Sequence, residues 1–325
     1  MRESRILEIP EGLSGMRLDA AVARVFGISR TVAAELVRSG DVSVDGTVRR
    51  KSERVAGGAS VQVMLPDEPA AVQVVPIEVP DLGIVYEDDA IVVVDKPIGV
   101  AAHPSPGWDG PTVIGGLAAT GHRIATSGAA ERQGVVHRLD VGTSGLMVVA
   151  KTEAAYSSLK AAFRERLVDK RYRALVQGHP DPLRGTIDAP IDRHPFAREK
   201  MAVRDSGREA VTHWELQAAF NGRDGKPVAS LLACQLETGR THQIRVHLSH
   251  IGHPLLGDGV YGPHFKTKAG QLGPQAQAAL TSLGRQALHA YLLALEHPRT
   301  GELLRWEAAL PEDLLLLKSA LEAAL

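Results

Sequence analysis

Residues 134–152 read GVVHRLDVGTSGLMVVAKT, and a carboxylate, Asp140, stands beside a fixed cation, Arg138, in the polar middle. Apolar runs flank that middle, Gly134-Val135-Val136 on one side and Leu146-Met147-Val148-Val149-Ala150 on the other. Both runs have the length and composition of strands, and Gly142, Thr143, Ser144 and Gly145 read as the bend between them. Alone, Asp140 reads first as a turn brace for nearby N–H groups or the Thr143 and Ser144 hydroxyls. A second stretch, Glu237-Thr238-Gly239-Arg240-Thr241-His242-Gln243, sets Arg240 at a strand end just before a helix. A guanidinium is a rigid bidentate partner, suited to keeping a half-buried aspartate anionic and nucleophilic near neutral pH. Tyr172 adds a third kind of group. It alternates with Ala174 and Val176 along a predicted strand. It reads either as a core tyrosine with a satisfied hydroxyl or as a flat platform for a base.

The elements that must position these groups divide the chain. Residues 1–65 form a small domain: a helix with Leu18, Ala21, Val22 and Val25 on one face, then a second helix over Arg30–Ser39 capped by Ser29. Val42-Ser43-Val44 and Thr47-Val48 flank Asp45-Gly46 as a hairpin, and a last strand runs from Ser60 to Leu65. Residues 66–80, PDEPAAVQVVPIEVP, read as an extended proline-rich linker. Residues 81–325 form the larger domain. There, Ile84–Tyr86 and Ala90–Val94 predict a hairpin, Thr152 caps a helix from Glu153 to Leu167, and Lys170–Val176 and Leu231–Leu236 predict strands. A short helix follows over Thr241–Leu248, and residues 262–285 read as a surface insertion. Strands dominate and βαβ spacing is rare. The class is therefore α+β, with a mixed, mostly antiparallel sheet in the large domain and a small N-terminal helix-hairpin domain.

Composition bounds the function. The chain has 325 residues, is 44% hydrophobic and 23% charged, and carries a formal net charge of −1. That suits a globular protein with a real core, and any nucleic-acid binding must come from local patches. One cysteine, Cys234, can form neither an internal disulfide nor a cysteine zinc cluster, so a reducing cytoplasmic setting is expected. No apolar leader and no long apolar span stand out, so no membrane is expected. Nor does a P-loop, a dinucleotide fingerprint or HExxH, so no cofactor and no metal are expected. Without an exposed apolar helix or heptad seam, a monomer is expected.

Basic residues Arg17, Arg24, Arg30, Arg38, Arg49, Arg50, Lys51 and Arg54 stud the small domain. By count they could be solvated helix faces. With the hairpin Gly40–Gly46, however, the two-helix pattern resembles the alpha-L RNA-binding domain shared with a small-subunit ribosomal protein. That resemblance implies that Arg17, Arg30, Arg38, Arg49, Arg50 and Lys51 meet RNA phosphates, giving affinity and orientation rather than sequence choice.

In the large domain, His137-Arg138-Leu139-Asp140 with Thr143–Leu146 resembles the catalytic motif of the RluA/RluD-type ribosomal RNA pseudouridine synthases. Asp95-Lys96-Pro97 with His103-Pro104, Lys170–Leu175, Thr238–His247, and His253-Pro254-Leu255 with Gly257-Asp258 and Tyr261-Gly262 are similar to further family motifs, in order. The resemblance implies the pseudouridine synthase fold and isomerisation of uridine to pseudouridine in RNA, without cofactor or redox change. It makes Asp140 the essential carboxylate, Tyr172 the platform for the target uracil and Arg240 the partner of Asp140. The base must leave its stack, and Arg138, with His137 beside it, would engage the opened RNA. The loop RHPFAREKMAV, with Arg193, Arg198 and Lys200, resembles synthases that modify a stem-loop of large-subunit ribosomal RNA. The implied partner is thus that RNA or a pre-ribosomal particle. Two other readings are a metal-dependent hydrolase and a non-catalytic RNA-binding assembly factor. His242 and His247 lie roughly 140° apart around a helix, which does not suit a metal pair. A pure binder has no need of Asp140, Tyr172 and Arg240 together.

Overall fold

In a computed structural model, the protein is described over residues 3–28, 30–65, 74–105, 107–197, 200–222, 225–263 and 270–323. It divides into two compact units, Met1–Val72 and Gln73–Leu325.

The smaller unit runs β1 (Glu3–Glu8), α1 (Leu18–Phe26), α2 (Arg30–Ser39), β2 (Val42–Val44), β3 (Thr47–Val48) and β4 (Ser60–Leu65). Leu18, Ala21 and Val22 of α1 pack with Ala33, Leu36 and Val37 of α2 against Val42, Val61 and Val63 of the sheet. Asp45 (φ 50°) and Gly46 (φ 76°) both take positive φ, the geometry of a hairpin turn whose twist matches its strands. Sheet order is β1-β4-β2-β3. β1 has no apolar alternation to announce it, because its described side chains are exposed; backbone pairing and a bond from Gln62 Nε2 to Ser4 Oγ at 2.9 Å dock it on β4. The expected cap, Ser29, lies outside the described residues. So do residues 66–73 of the expected linker, while Val74 and Val79 pack on the core of the larger unit.

The larger unit begins with β5 (Gly83–Glu87), β6 (Ile91–Lys96), α3 (Val113–Ala119), β7 (Ser144–Ala150), α4 (Glu153–Arg164) and β8 (Asp169–Gln177). Next come β9 (Arg184–Asp188), β10 (Ile191–Arg193), β11 (Met201–Val203), β12 (Val211–Asn221) and β13 (Pro227–Leu236). The chain closes with α5 (Gln243–His250), α6 (Pro274–Leu283), β14 (Leu288–Glu296), β15 (Leu303–Glu307) and α7 (Glu312–Glu322). The main sheet has nine strands in the order β5-β6-β7-β14-β8-β13-β12-β9, with β15 also on β14. Only β7–β14 is parallel among these pairs, so the sheet is mixed and mostly antiparallel. Alternation assigns the faces. Val92, Val94, Tyr172, Ala174 and Leu232 pack with α3 and α5. The opposite parity, Ile91, Val93, Leu175 and Leu231, packs with α4, α6 and α7. At Gly145 (φ 116°), a Cβ would sit 2.2 Å from Ala290 O, so only glycine allows the close β7–β14 approach.

Three sequence expectations need correction. Gly134-Val135-Val136 is not a strand; it makes one bridge, Val135 to Val149, and bends at Gly134 (φ 71°). The helix from Glu153 ends at Arg164, because Arg166 turns left-handed (φ 63°) and leaves Leu167 exposed. Within 262–285, residues 270–283 are not a loose insertion: Leu272, Ala276 and Leu283 enter a core with α7. The prolines and glycines that suggested a loop punctuate α6, with Pro274 at its first turn and left-handed Gly284 at its end.

Candidate active site

Asp140 sits in the loop before β7, and the backbone around it is tied down at successive carbonyls. Thr143 N–H donates to Asp140 O at 3.0 Å, and Gly99 N–H to Val141 O at 3.0 Å. Lys96, fully buried at the end of β6, spreads its ammonium over Pro97 O (2.9 Å), Val100 O (2.8 Å) and Val141 O (3.4 Å). Burial pushes that lysine down to about 7, with the Asp140 charge opposing. Arg285 donates to Gly142 O at 3.2 Å while Asp313 of α7 grips its other nitrogens at 2.7 and 2.9 Å. Gln286 Nε2 donates to Thr143 Oγ1 at 3.1 Å. The carboxylate thus stands on a braced mount.

The cation facing it is not the expected one. Arg245 Nη1 donates to Asp140 Oδ2 at 3.3 Å, while Arg245 Nε and Nη2 fork onto Asp258 at 2.7 and 3.1 Å. Arg240 instead donates through Nε to Glu209 O at 2.8 Å. Left-handed His242 (φ 56°) turns the chain between the two arginines, so Arg240 stays in the turn and Arg245 enters buried α5. Burial opposes the Arg245 charge, but bonds and charge from Asp258 and Asp140 raise its pKa above the usual value. Burial likewise works against the Asp258 carboxylate; Arg245 and the Val260 and Tyr261 N–H groups hold it below the usual range. One sequence signal marked Arg245: it sits among Ile244, Val246 and Leu248 on a helix buried nearly all round, and a buried arginine needs buried carboxylates.

Tyr172 lies in the core facing α5, with burial first and the Asp140 charge second raising its phenol above the ordinary range. Asp140, Tyr172 and Arg245 line one cavity of about 410 Å³, within the span of roughly 300–1,000 Å³ usual for ligand pockets. Arg132, exposed Arg138, Lys160, Arg164, Lys170 and Arg240 bring cationic groups to the same cavity.

His137, expected to engage RNA beside Arg138, is held by contacts within the fold. β14 pairs with β7 only at Ser144 and Gly145, and farther along that strand the His137 Nε2 accepts from Val148 N–H at 3.0 Å. Burial pushes this imidazole down to about 3, and its ring stacks on Phe163. It is a neutral stand-in for a strand carbonyl.

The remaining predicted RNA contacts divide by their present partners. Arg17 forks onto Asp19, with Arg30 at 3.7 Å from the same carboxylate; Arg38 pairs with Glu35, and Arg49 with Glu53 at 3.4 Å. Arg50 and Lys51 are exposed beyond β3. Arg193 is exposed in β10, whereas Lys200 is half-buried and donates to Val260 O at 3.0 Å. Arg198 lies outside the described residues. His247, weighed as a metal ligand, is buried between Thr212 Oγ1 and Ala189 O, each at 2.9 Å.

A braced carboxylate, a buried arginine fork and a tyrosine in one cation-lined cavity on a mixed sheet, in a chain that also carries a separate helix-hairpin unit, are the parts of an enzyme with a large polyanionic substrate. The chain matches the family described as RNA pseudouridylate synthase over residues 90–250 and the S4 domain over residues 16–61. A ribosomal large subunit pseudouridine synthase D of Pseudomonas aeruginosa is 43% identical over 98% of this chain and 95% of its own length. An uncharacterized RNA pseudouridine synthase of Mycobacterium bovis is 53% identical over 95% of this chain and 96% of its own length. Among solved structures, human RNA pseudouridylate synthase domain containing 1 has a TM-score of 0.55 at 28% identity, covering 78% of this chain and 90% of the other. The chain therefore belongs to the RNA pseudouridine synthases, which are isomerases, and carries an N-terminal S4 RNA-binding domain.

Proposed function

We propose that the protein isomerises specific uridines in a stem-loop of large-subunit ribosomal RNA, with Asp140 as the essential carboxylate. The reading rests on one observation above all: Asp140 is braced by its own loop, paired to Arg245 and set in the same cavity as Tyr172. In the reaction, the N1–C1′ bond of uridine breaks, the uracil turns, and a C5–C1′ bond forms. The proton leaves C5 and N1 gains one, so no oxidant, cofactor or energy source is consumed. Asp140 acts at the reacting centre, Arg245 aims it, and Tyr172 forms the platform under the base. The target nucleotide leaves its stack to reach the cavity, at about a few kcal/mol, and exposed Arg138 engages the opened strand. The small domain, residues 1–65, adds phosphate contacts without base choice. The protein works as a cytoplasmic monomer on ribosomal RNA or a pre-ribosomal particle. The choice of large-subunit RNA follows the names carried by relatives such as the Pseudomonas aeruginosa protein.

Pseudouridine mapping tests this reading, using ribosomal and transfer RNA from cells with and without the protein. Loss of one or a few pseudouridines from large-subunit stem-loops, restored by the wild-type chain, is expected. Losses confined to transfer RNA would overturn the substrate assignment, and an unchanged map would favour a non-catalytic assembly role.

A further inference from the structure

His242 and Tyr261 have no part in the chemistry above, yet they meet at its edge. His242 lines the cavity, and its backbone takes a left-handed conformation uncommon outside glycine. Such conformations concentrate at functional sites. Its Nδ1 is 2.9 Å from Tyr261 Oη, and the same Oη accepts from Met201 N–H at 2.9 Å. Met201 N–H donates to that oxygen, and Nδ1 is the acceptor the described residues offer the hydroxyl proton, so Tyr261 O–H donates to Nδ1. The network therefore assigns the His242 proton to Nε2. Burial lowers the His242 pKa, against the Asp140 charge, which favours the neutral ring. Nε2 lies 3.9 Å from Asp140 Oδ2, beyond hydrogen-bond length, and makes no hydrogen bond among the described residues. The Tyr261 ring is itself held edge-on to His242 and under the Arg245 guanidinium, 5.0 Å from its centroid.

A neutral N–H donor facing the cavity beside the carboxylate suits a neutral acceptor. Uracil offers two, O2 and O4, whereas cytosine presents an amino group in place of O4. Turning uracil over about its N3–C6 axis exchanges N1 with C5 and O2 with O4. One fixed donor aimed at a ring carbonyl is then met by a carbonyl both before and after the turn.

We propose that His242 contacts the substrate base, its Nε2–H donating to a uracil carbonyl oxygen, and that Tyr261 is the positioning residue that fixes this tautomer. The proposal rests on the uridine-isomerising reading above. It also ties the β10–β11 hairpin to the site, since Met201 of β11 supplies the bond that orients Tyr261.

Sulfur is the weaker acceptor, so thio-substituted RNA tests the contact. The probes are a large-subunit stem-loop that the wild-type protein modifies, and the same RNA with 2-thiouridine or 4-thiouridine at that uridine. Wild type is expected to lose about tenfold in kcat/KM on at least one thio-RNA, the scale of one hydrogen bond. His242→Leu is expected to be slower on uridine yet to lose less than twofold on the same thio-RNA. His242→Gln, which keeps a donor, retains part of the discrimination, and Tyr261→Phe loses part of it. Thermal unfolding identifies variants that fail to fold, and Tyr261→Phe carries the test if His242→Leu does. Equal thio penalties in wild type and the folded variants would overturn the role of His242. A wild type that modifies no RNA would overturn the uridine reading itself and this inference with it.

Discussion

Replacing Arg245 with methionine separates the arginine that holds the site from the one that does not. The side chain of Arg245 is 8% exposed and that of Asp258 is 0% exposed, and three bonds join Arg245 to Asp258 and Asp140. Arg245→Met strands the Asp258 carboxylate in the core with only the Val260 and Tyr261 N–H groups. Removing one partner of such a pair costs about 3–5 kcal/mol. Arg240→Met loses one solvent-exposed hydrogen bond from its guanidinium to Glu209 O, which solvent screening holds to about 1 kcal/mol. Activity should separate in the same way. Arg245→Met releases the aim of Asp140, and a misplacement of about 1 Å costs on the order of 100-fold in rate; Arg240→Met keeps turnover within several-fold. Adding Asp258→Asn to Arg245→Met removes the stranded charge and returns much of the stability without returning turnover. Urea unfolding followed by fluorescence measures the first effect, and tritium release from RNA labelled at uridine C5 measures the second. If Arg240→Met proves the more damaging in both assays, the assignment of the fork to Arg245 is wrong.

Two further predictions follow from groups with opposite duties. His137 has its folded pKa depressed to about 3 against about 6.5 when unfolded, so the unfolded chain binds more protons between those values. Its stabilisation is complete above pH 6.5 and is lost as pH falls towards 3. Discounting the full shift for the partly exposed ring leaves about 2 kcal/mol. His137→Gln, an acceptor that does not titrate, should flatten the acid limb of a stability–pH curve; an unchanged limb would show that the acid sensitivity lies elsewhere. Replacing Arg50 and Lys51 together with alanine should weaken RNA binding and lower the slope of log K against log salt by about 1.4–1.8, as two lost phosphate contacts require. An unchanged slope would remove these residues from the RNA face.

Much of the fold was legible because local chemistry and tertiary role agree. Asp45-Gly46 specifies its turn, Thr152 caps α4 through Ala155 N–H, and the alternation of Tyr172, Ala174 and Val176 gives the correct face of β8. Other features depended on partners distant in sequence. β1 exists through backbone pairing with β4, and residues 134–136 bend at left-handed Gly134 and bridge β7 once, from Val135 to Val149. Pro274 and Gly284 look like loop residues until a helix is seen between them. In the site, Asp140 and Tyr172 stood out by type and setting, but the choice between two arginines five residues apart did not. It turns on left-handed His242 and on a carboxylate, Asp258, that no local pattern ties to Arg245. Lys96, Arg285 and Gln286 act on the carbonyls and hydroxyl around Asp140 through folded geometry alone.

The account stands most directly on what Asp140 does. Tritium release from cellular RNA labelled at uridine C5, with wild type and Asp140→Asn compared at matched folded concentration and RNA affinity, measures it. Asp140→Asn keeps the shape of the loop, whose braces are all at backbone carbonyls and at Thr143, and removes the carboxylate. Wild type should release tritium, and Asp140→Asn should bind RNA as tightly yet release none. Undiminished release by Asp140→Asn, or no release by folded wild type from any cellular RNA, would contradict the account.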